Sequence, residues 1–298
     1  MSKFVRFDWA IKYLLRNKAD FVVLEGFLSE LINQDIFIEE ILESESNKTH
    51  KNDKSNRVDL LVKNNNHEYI IIEIQCYQEL DFLSRMLYGT SKVVTESIES
   101  GDKYINIAKI ISVNIVYFDM GQGTDYLYKG TTNFKGIHKK DILELNEKEK
   151  SIYLNKGISN IESIFPEYYL IRVDNYNNKI NDKIDEWIYF LKNSSIKSSF
   201  KAKGIKEAND KLNVLRLSED QRIDYEIDMR NLSLDNSLIY SATQSGLIDG
   251  IKIGKEEGIK EGEKKKALKI AKNLLKSKIS IKKIAKATGL SISEIEKL

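Results

Sequence analysis

The chain is poor in the residues on which much enzyme chemistry rests. Its 298 residues include one cysteine (Cys76), three histidines (His50, His67, His138) and one proline (Pro166). A single cysteine forms neither an intramolecular disulfide nor a cysteine zinc site. Three scattered histidines exclude paired-histidine metal motifs and argue against histidine-led acid–base chemistry. Any catalysis is therefore expected from carboxylates. Long apolar runs are missing too, so no membrane span is expected. The N-terminal MSKFVRFDWAIKYLLRNK has no apolar core of the secretory type. An excess of charge of one sign is also lacking: 47 Lys and Arg against 45 Asp and Glu leave a net charge of +2. A whole-protein positive field is thereby excluded as the main route to nucleic acid, and any such binding must come from local patches. The expectation is a soluble, cytoplasmic protein in a reducing environment.

What is present is a mixed pattern of helices and strands. Residues 7–16 and 20–33 have helical spacing, the second with Phe21, Leu24, Phe27, Leu28, Leu31 and Ile32 on one stripe. Residues 36–43 are strand-like and 44–56 form a polar loop. RVDLLVK (57–63) and EYIIIEIQ (68–75) flank the polar NNNH and predict a β-hairpin. A helix is expected over 79–97, strands within 104–118, 121–134 and 165–176, and an amphipathic helix over 182–193. The division expected is a mixed α/β domain (1–180), a helical region (181–242) and a glycine-spaced tail with a small terminal module (243–298).

The hairpin carries the chemistry. Side chains alternate across a strand, so Tyr69, Ile71, Glu73 and Gln75 share one face and Ile70, Ile72 and Ile74 the other, which should meet the core. A turn centred near residue 66 sets Asp59 opposite Glu73, and directly opposed Cβ atoms lie ~4.5–5.5 Å apart. Two like charges so placed repel and need a cation or a proton. A divalent metal is the simple compensation, and magnesium accepts one or two carboxylates with retained waters. Arg57 can neutralise charge or contact phosphate nearby. On the following helix Arg85, Tyr88 and Lys92 fall at i, i+3 and i+7, a candidate phosphate-contact stripe.

Asp59, followed after thirteen residues by Glu73-Ile74-Gln75, resembles the signature of the PD-(D/E)xK nuclease superfamily, in the variant with glutamine in place of lysine. The wider string FDWAIKYLLRNKADFVVLEGFLSELI, ILESE, NRVDLLV, IIIEIQ, RMLYGTSK, INIVYFDMGQG and FPEYYLI resembles the Rpn family of recombination-promoting nucleases and transposases. The resemblance covers roughly residues 4–195, and the glycine-spaced tail is also typical of the family. It implies an α/β restriction-endonuclease-like core, a mixed sheet of four to five strands flanked by helices, with a helical C-terminal region. It also implies metal-dependent cleavage of DNA phosphodiesters. Carried over by position, Asp59 and Glu73 would bind Mg2+, the main-chain carbonyl of Ile74 would complete the ligands, and Gln75 would replace the usual lysine. Glu25, which breaks the apolar run VVLEGF, is the candidate for an acid contributed by the first core helix, with Glu30 behind it. Glutamine can orient a water but carries no charge, so charge stabilisation would pass to the metal or to Arg57, Arg85 or Lys92.

In the tail, glycines recur every fourth residue at 246, 250, 254, 258 and 262. Each costs a helix ~1 kcal/mol against alanine, so a marginal helix ordered by self-association is expected, with a flexible connector as the alternative. The segment is too charged for a membrane pair. The terminal ISIKKIAKATGLSISEIEKL resembles a helix-turn-helix, with Ser291 and Glu294 spaced as a capping box. The functional expectation is a Mg2+-dependent DNA endonuclease linked to recombination, mobile elements or defence, and homo-oligomeric through its C-terminal helices. The competing expectation is a degenerate nuclease fold that binds DNA or a protein partner. A transposase with a ribonuclease-H-like core is a third reading, for which no downstream acid stands out.

Overall fold

The computed structural model describes residues 9, 21–42, 59–154, 158–211, 213 and 217–298. The helix expected over 7–16 (Trp9 apart), the loop over 44–56 and Arg57 lie outside the described residues. Among those described, the order is α1 (Val22–Ile32), β1 (Ile38–Leu42), β2 (Leu60–Asn64), β3 (Tyr69–Gln75), α2 (Phe82–Glu96), β4 (Ile110–Val116), β5 (Leu127–Gly130), α3 (Glu147–Tyr153), β6 (Glu167–Arg172), α4 (Lys183–Asn193), α5 (Ile205–Lys211), α6 (Glu219–Lys276), α7 (Ile281–Thr288) and α8 (Ile292–Ile295). The chain forms two compact units, Met1–Tyr225 and Glu226–Leu298.

The first unit is built on a six-stranded mixed sheet in the order β1-β2-β3-β4-β6-β5. The sheet is one strand wider than the four to five expected, because β1 and β5 pair as antiparallel edges. Its centre, β3-β4-β6, is parallel, and α2 makes the crossover that parallel neighbours require. All seven residues of β4 are buried, as befits a strand covered on both faces. On one face Ile70, Ile72 and Ile74 join Val113, Ile115 and Ile171 against Val23, Phe27 and Leu28 of α1 and Ile184, Trp187 and Ile188 of α4. On the other, Ile71 and Ile110 meet Val93 of α2, while Val116 and Phe118 meet Phe82. Because Trp187 and its neighbours belong to the main core, residues beyond 180 pack with the sheet. The boundary between the two compact units falls after Tyr225.

The hairpin register is held at its turn. Buried Asn64 receives the N–H of Asn66 and Glu68 on its side-chain oxygen, at 3.0 and 2.9 Å, and its amide donates to Glu68 Oε2 at 2.7 Å. His67 closes the turn at φ 60°, with its N–H on the Asn64 carbonyl. The resulting pairs, Leu60 with Ile72 and Leu61 with Ile71, are those of the sequence-derived register.

α1 and the turn that leads into α5 meet backbone to backbone. A Cβ on Gly26 would overlap the Lys203 carbonyl and lie 2.6 Å from Gly204 Cα, while Gly204 itself adopts φ +73°. Trp187 Nε1 donates to the same Lys203 carbonyl at 3.1 Å. The contact therefore leaves no space for a side chain. Gly26→Ala is expected to lower stability by about 1–3 kcal/mol through overpacking, read as a reduced urea midpoint at unchanged slope. An unchanged midpoint would show that the helices can move apart freely.

In the second unit α6 runs unbroken through all five spaced glycines, whose added Cβ atoms would meet nothing within 4 Å. Its C-terminal turns make a small core with the last helices, through Ala271, Ile284, Leu290 and Ile295. The expected capping box is present: Ser291 Oγ accepts from Glu294 N–H at 3.3 Å, and Ser291 N–H donates to Glu294 Oε2 at 3.0 Å.

Candidate active site at the open end of the hairpin

The site stands where β2 begins and β3 ends. Continuing the β2–β3 ladder one step beyond Leu60↔Ile72 sets Asp59 opposite Glu73. Asp59 Oδ2 accepts the N–H of Ile74 at 2.8 Å, so this carboxylate is pinned to the backbone of the strand that bears the second one. Glu73 is 3 % exposed. It sits on the face of β3 covered by α2, beside Asn114 of β4, which is also buried and donates to Ser112 Oγ at 2.9 Å and the Tyr169 carbonyl at 3.3 Å.

A buried carboxylate needs a cation or a proton. Arg85 of α2 supplies the first, its Nη2 forming an ion pair with Glu73 Oε1. The contact does not have the geometry of a hydrogen bond, and Oε1 has no other partner. Arg85 Nη1 reaches both oxygens of Glu79, at 2.8 and 3.0 Å. Gln75 Nε2 donates to Glu79 Oε1 at 2.9 Å and to the Tyr77 carbonyl at 3.2 Å. Burial pushes the Glu73 carboxyl up to about 7. Arg85 opposes the rise, and the negative charges of Asp59 and Glu79 add to it. Burial works against the charge on Arg85, but Glu73 and Glu79 outweigh it and leave the guanidinium more firmly protonated than usual.

The structure sorts the sequence candidates. Asp59, Glu73, Ile74, Gln75 and Arg85 come together. Glu25 does not join them: its Oε1 accepts the N–H of Ile38 at 2.8 Å. Ile38 pairs with Asn64, the full length of β2 away from Asp59, or about 15 Å at ~3.3 Å per residue. The acid that breaks the apolar run of α1 thus ties that helix to β1. Glu30 accepts the N–H of Lys203 at 2.7 Å and is likewise structural. The stripe on α2 also divides. Arg85 turns into the carboxylates, Tyr88 is exposed, and Lys92 lies 3.7 Å from Glu96. Glu79 was absent from the candidates. It falls at the start of the helix expected over 79–97, whereas the helix forms only from Phe82. Nothing in its spacing marks it, since only the chain reversal after β3 returns it to Gln75 and Arg85.

Among the described residues no group of three or more His, Cys, Asp or Glu side chains is spaced to hold a metal ion. The fit to a cation is of the two-carboxylate kind, hard oxygen donors with water completing the shell, which suits magnesium. Buried Glu73 Oε1 already faces a cation, the Arg85 guanidinium, so a positive charge fits at this oxygen. A cleft of about 870 Å³ lies at the other end of β3 and β4, lined by Lys63, His67, Tyr69, Lys109 and Glu167. Its half-buried lysine, Lys109, is already held by the Phe165 and Glu162 carbonyls and by Glu167, at 2.8, 3.2 and 3.3 Å. The cleft includes neither Asp59 nor Glu73.

A mixed sheet with a parallel centre, helices on both faces and paired acids on an antiparallel hairpin is a restriction-endonuclease-like fold, and the class is that of the nuclease-fold proteins. The chain belongs to the PD-(D/E)XK nuclease family transposases, whose family model matches residues 5–242. The C-terminal HTH domain of the Rpn/YhgA-like nuclease family matches residues 264–298. No curated protein and no solved structure matches the chain.

The raised Glu73 carboxyl gives a signed expectation for the metal-free protein. Its folded-state value lies above the 4.5 of an ordinary glutamate, so its contribution to stability is complete below that value and is lost as pH rises toward about 7. With chelator present, the thermal midpoint of Glu73→Gln minus that of the wild type should grow more positive from about pH 5 to about pH 8. A difference independent of pH would mean that Glu73 ionises as an ordinary glutamate.

Proposed function

We propose that the protein is a divalent-metal-dependent DNA endonuclease, acting in recombination, mobile-element biology or defence. The observation that carries the reading is the pair of carboxylates, Asp59 and buried Glu73, opposed at the open end of the hairpin in a chain of this nuclease family. Phosphodiester hydrolysis needs an activated water and charge neutralisation at the phosphate, and bound magnesium supplies both. Asp59 and Glu73 hold the ion, with the Ile74 carbonyl as the main-chain candidate. The hydrogen bond from Ile74 N–H keeps Asp59 oriented. No histidine base is required, in keeping with the three scattered histidines.

The terminal module, through its family, supports DNA as the partner. The long helix α6 exposes Ile223, Ile227, Leu234, Leu238, Ile248 and Ile251, apolar surface that supports a homo-oligomer formed through the C-terminal helices. Among the described residues no helix is long and apolar enough to cross a membrane, which agrees with a cytoplasmic site of action. The domain scheme that goes with this reading is a nuclease-like core followed by a helical region and a glycine-spaced tail with its terminal module.

A second reading, a nuclease fold that binds DNA or a partner without cutting, is favoured by one observation: Arg85 already neutralises Glu73. The two readings separate in one assay. Purified protein should nick supercoiled plasmid with magnesium and not with chelator, and Asp59→Ala/Glu73→Ala should reduce cutting to background. Full activity in the double variant would overturn the enzymatic reading. Salt-sensitive DNA binding with no cutting under magnesium, manganese or cobalt would establish the second.

A further inference from the structure

Gln75 stands where the motif usually has a lysine, and its amide is engaged by the protein itself. It is bonded to Glu79 Oε1 at 2.9 Å and to the Tyr77 carbonyl at 3.2 Å. Glu79 in turn receives Arg85 Nη1 on both oxygens, and the far side of the same guanidinium reaches Glu73. The chain of contacts runs from the end of β3, through the turn before α2, and back into the carboxylate pair. A guanidinium gripped through Nη1 has its plane restrained. Its side chain is 31 % exposed against 4 % for Glu73, so it is both anchored and open to a ligand arriving from solvent. A planar, permanently charged fork of five donors suits a phosphate oxygen well.

We propose that Arg85 supplies the cation that a lysine at position 75 would otherwise bring, contacting the non-bridging oxygens of the substrate phosphate. Glu79 and Gln75 are the positioning residues that hold its guanidinium beside Glu73. The inference rests on the metal-dependent phosphodiester reading and refines it. It moves Gln75 from the chemistry to the support of Arg85, gives Glu79 a role, and relocates the site's fixed positive charge from the strand to the helix. It also carries a consequence of opposite signs. Arg85 and a divalent ion draw on the same Glu73 oxygen atoms, so loss of the guanidinium should favour metal binding while harming cleavage. A residue of merely structural importance would weaken both.

The test uses the full-length chain, with manganese binding read by calorimetry and cleavage of a labelled DNA duplex read in single turnovers at saturating manganese. Arg85→Met should bind manganese several-fold more tightly and cut at least about tenfold more slowly. Glu79→Gln should lower the cleavage rate more than it weakens duplex affinity measured in calcium. Gln75→Lys/Arg85→Met, which returns the cation to the strand, should recover most of the lost rate. Arg85→Lys keeps the charge and carries the test should the methionine variant not fold: it should retain near-wild-type manganese affinity and a rate above that of Glu79→Gln. The inference is overturned by wild-type cleavage in Arg85→Met, by parallel loss of manganese binding and cleavage in a folded Arg85→Met, by a double variant no faster than the single one, or, where only Arg85→Lys folds, by a rate at or below that of Glu79→Gln. A wild-type chain that neither binds manganese nor cuts DNA removes the parent reading, and this inference with it. A wild-type chain that does both while Arg85→Met behaves identically removes this inference alone.

Discussion

Glu73 is a carboxylate buried to 3 % exposure between the sheet and α2, and its charge has to be answered from within the protein. Desolvating an ion costs several kcal/mol unless a partner offsets it. Here the partner is Arg85, which must enter from the helix that crosses over to β4. That requirement constrains the crossover: α2 lies over the end of β3 with Phe82 and Val93 packed down, so that Arg85 projects between them toward the carboxylates. Glu79 then serves as the outer anchor of the guanidinium, and Gln75 as the anchor of Glu79. The polar contacts run from Gln75 through Glu79 and Arg85 to Glu73.

This arrangement sits at one end of an otherwise apolar structure. The opposite face of the sheet is filled by isoleucine, valine and aromatic side chains from the strands, α1 and α4, and it gives the hairpin a rigid backing. The parallel centre places the C-terminal ends of β3, β4 and β6 on one rim. Gln75 is in register with Val116, and Val116 with Arg172. Arg172 is buried there and ties down the loop between β4 and β5 through the Gly123 carbonyl at 3.2 Å and Asp119 at 2.7 Å. Acids outnumber the one guanidinium among Asp59, Glu73, Glu79 and Arg85, so a net charge of +2 on the whole chain says little about the site.

Much of this was legible in the chain because strands obey simple periods. The alternation in EYIIIEIQ and the short polar turn were enough to place Asp59 opposite Glu73, and the buried side chain of Asn64 explains why that register is the one adopted. The glycine period of the tail and the Ser291–Glu294 spacing were read the same way, from repeats along a helix. Glu25 is an acid inside an apolar helical run, a pattern that looks functional, and it stands apart from the paired acids. It serves instead as the acceptor for the first N–H of β1, a need that exists only once the two elements are packed. Arg85 was grouped with Tyr88 and Lys92 because helical spacing reports neighbours on the same helix and not what lies beneath them.

The sequence by itself determined the elements, the hairpin register, the paired acids and the family, since each depends on local periodicity or on the order of short segments along the chain. Only the tertiary structure decided which acids converge, that Arg85 neutralises Glu73, that Gln75 serves Glu79, and that α1 touches the turn before α5 at Gly26 and Gly204. These are contacts between elements, set by how faces pack and by where a buried charge finds its counter-ion.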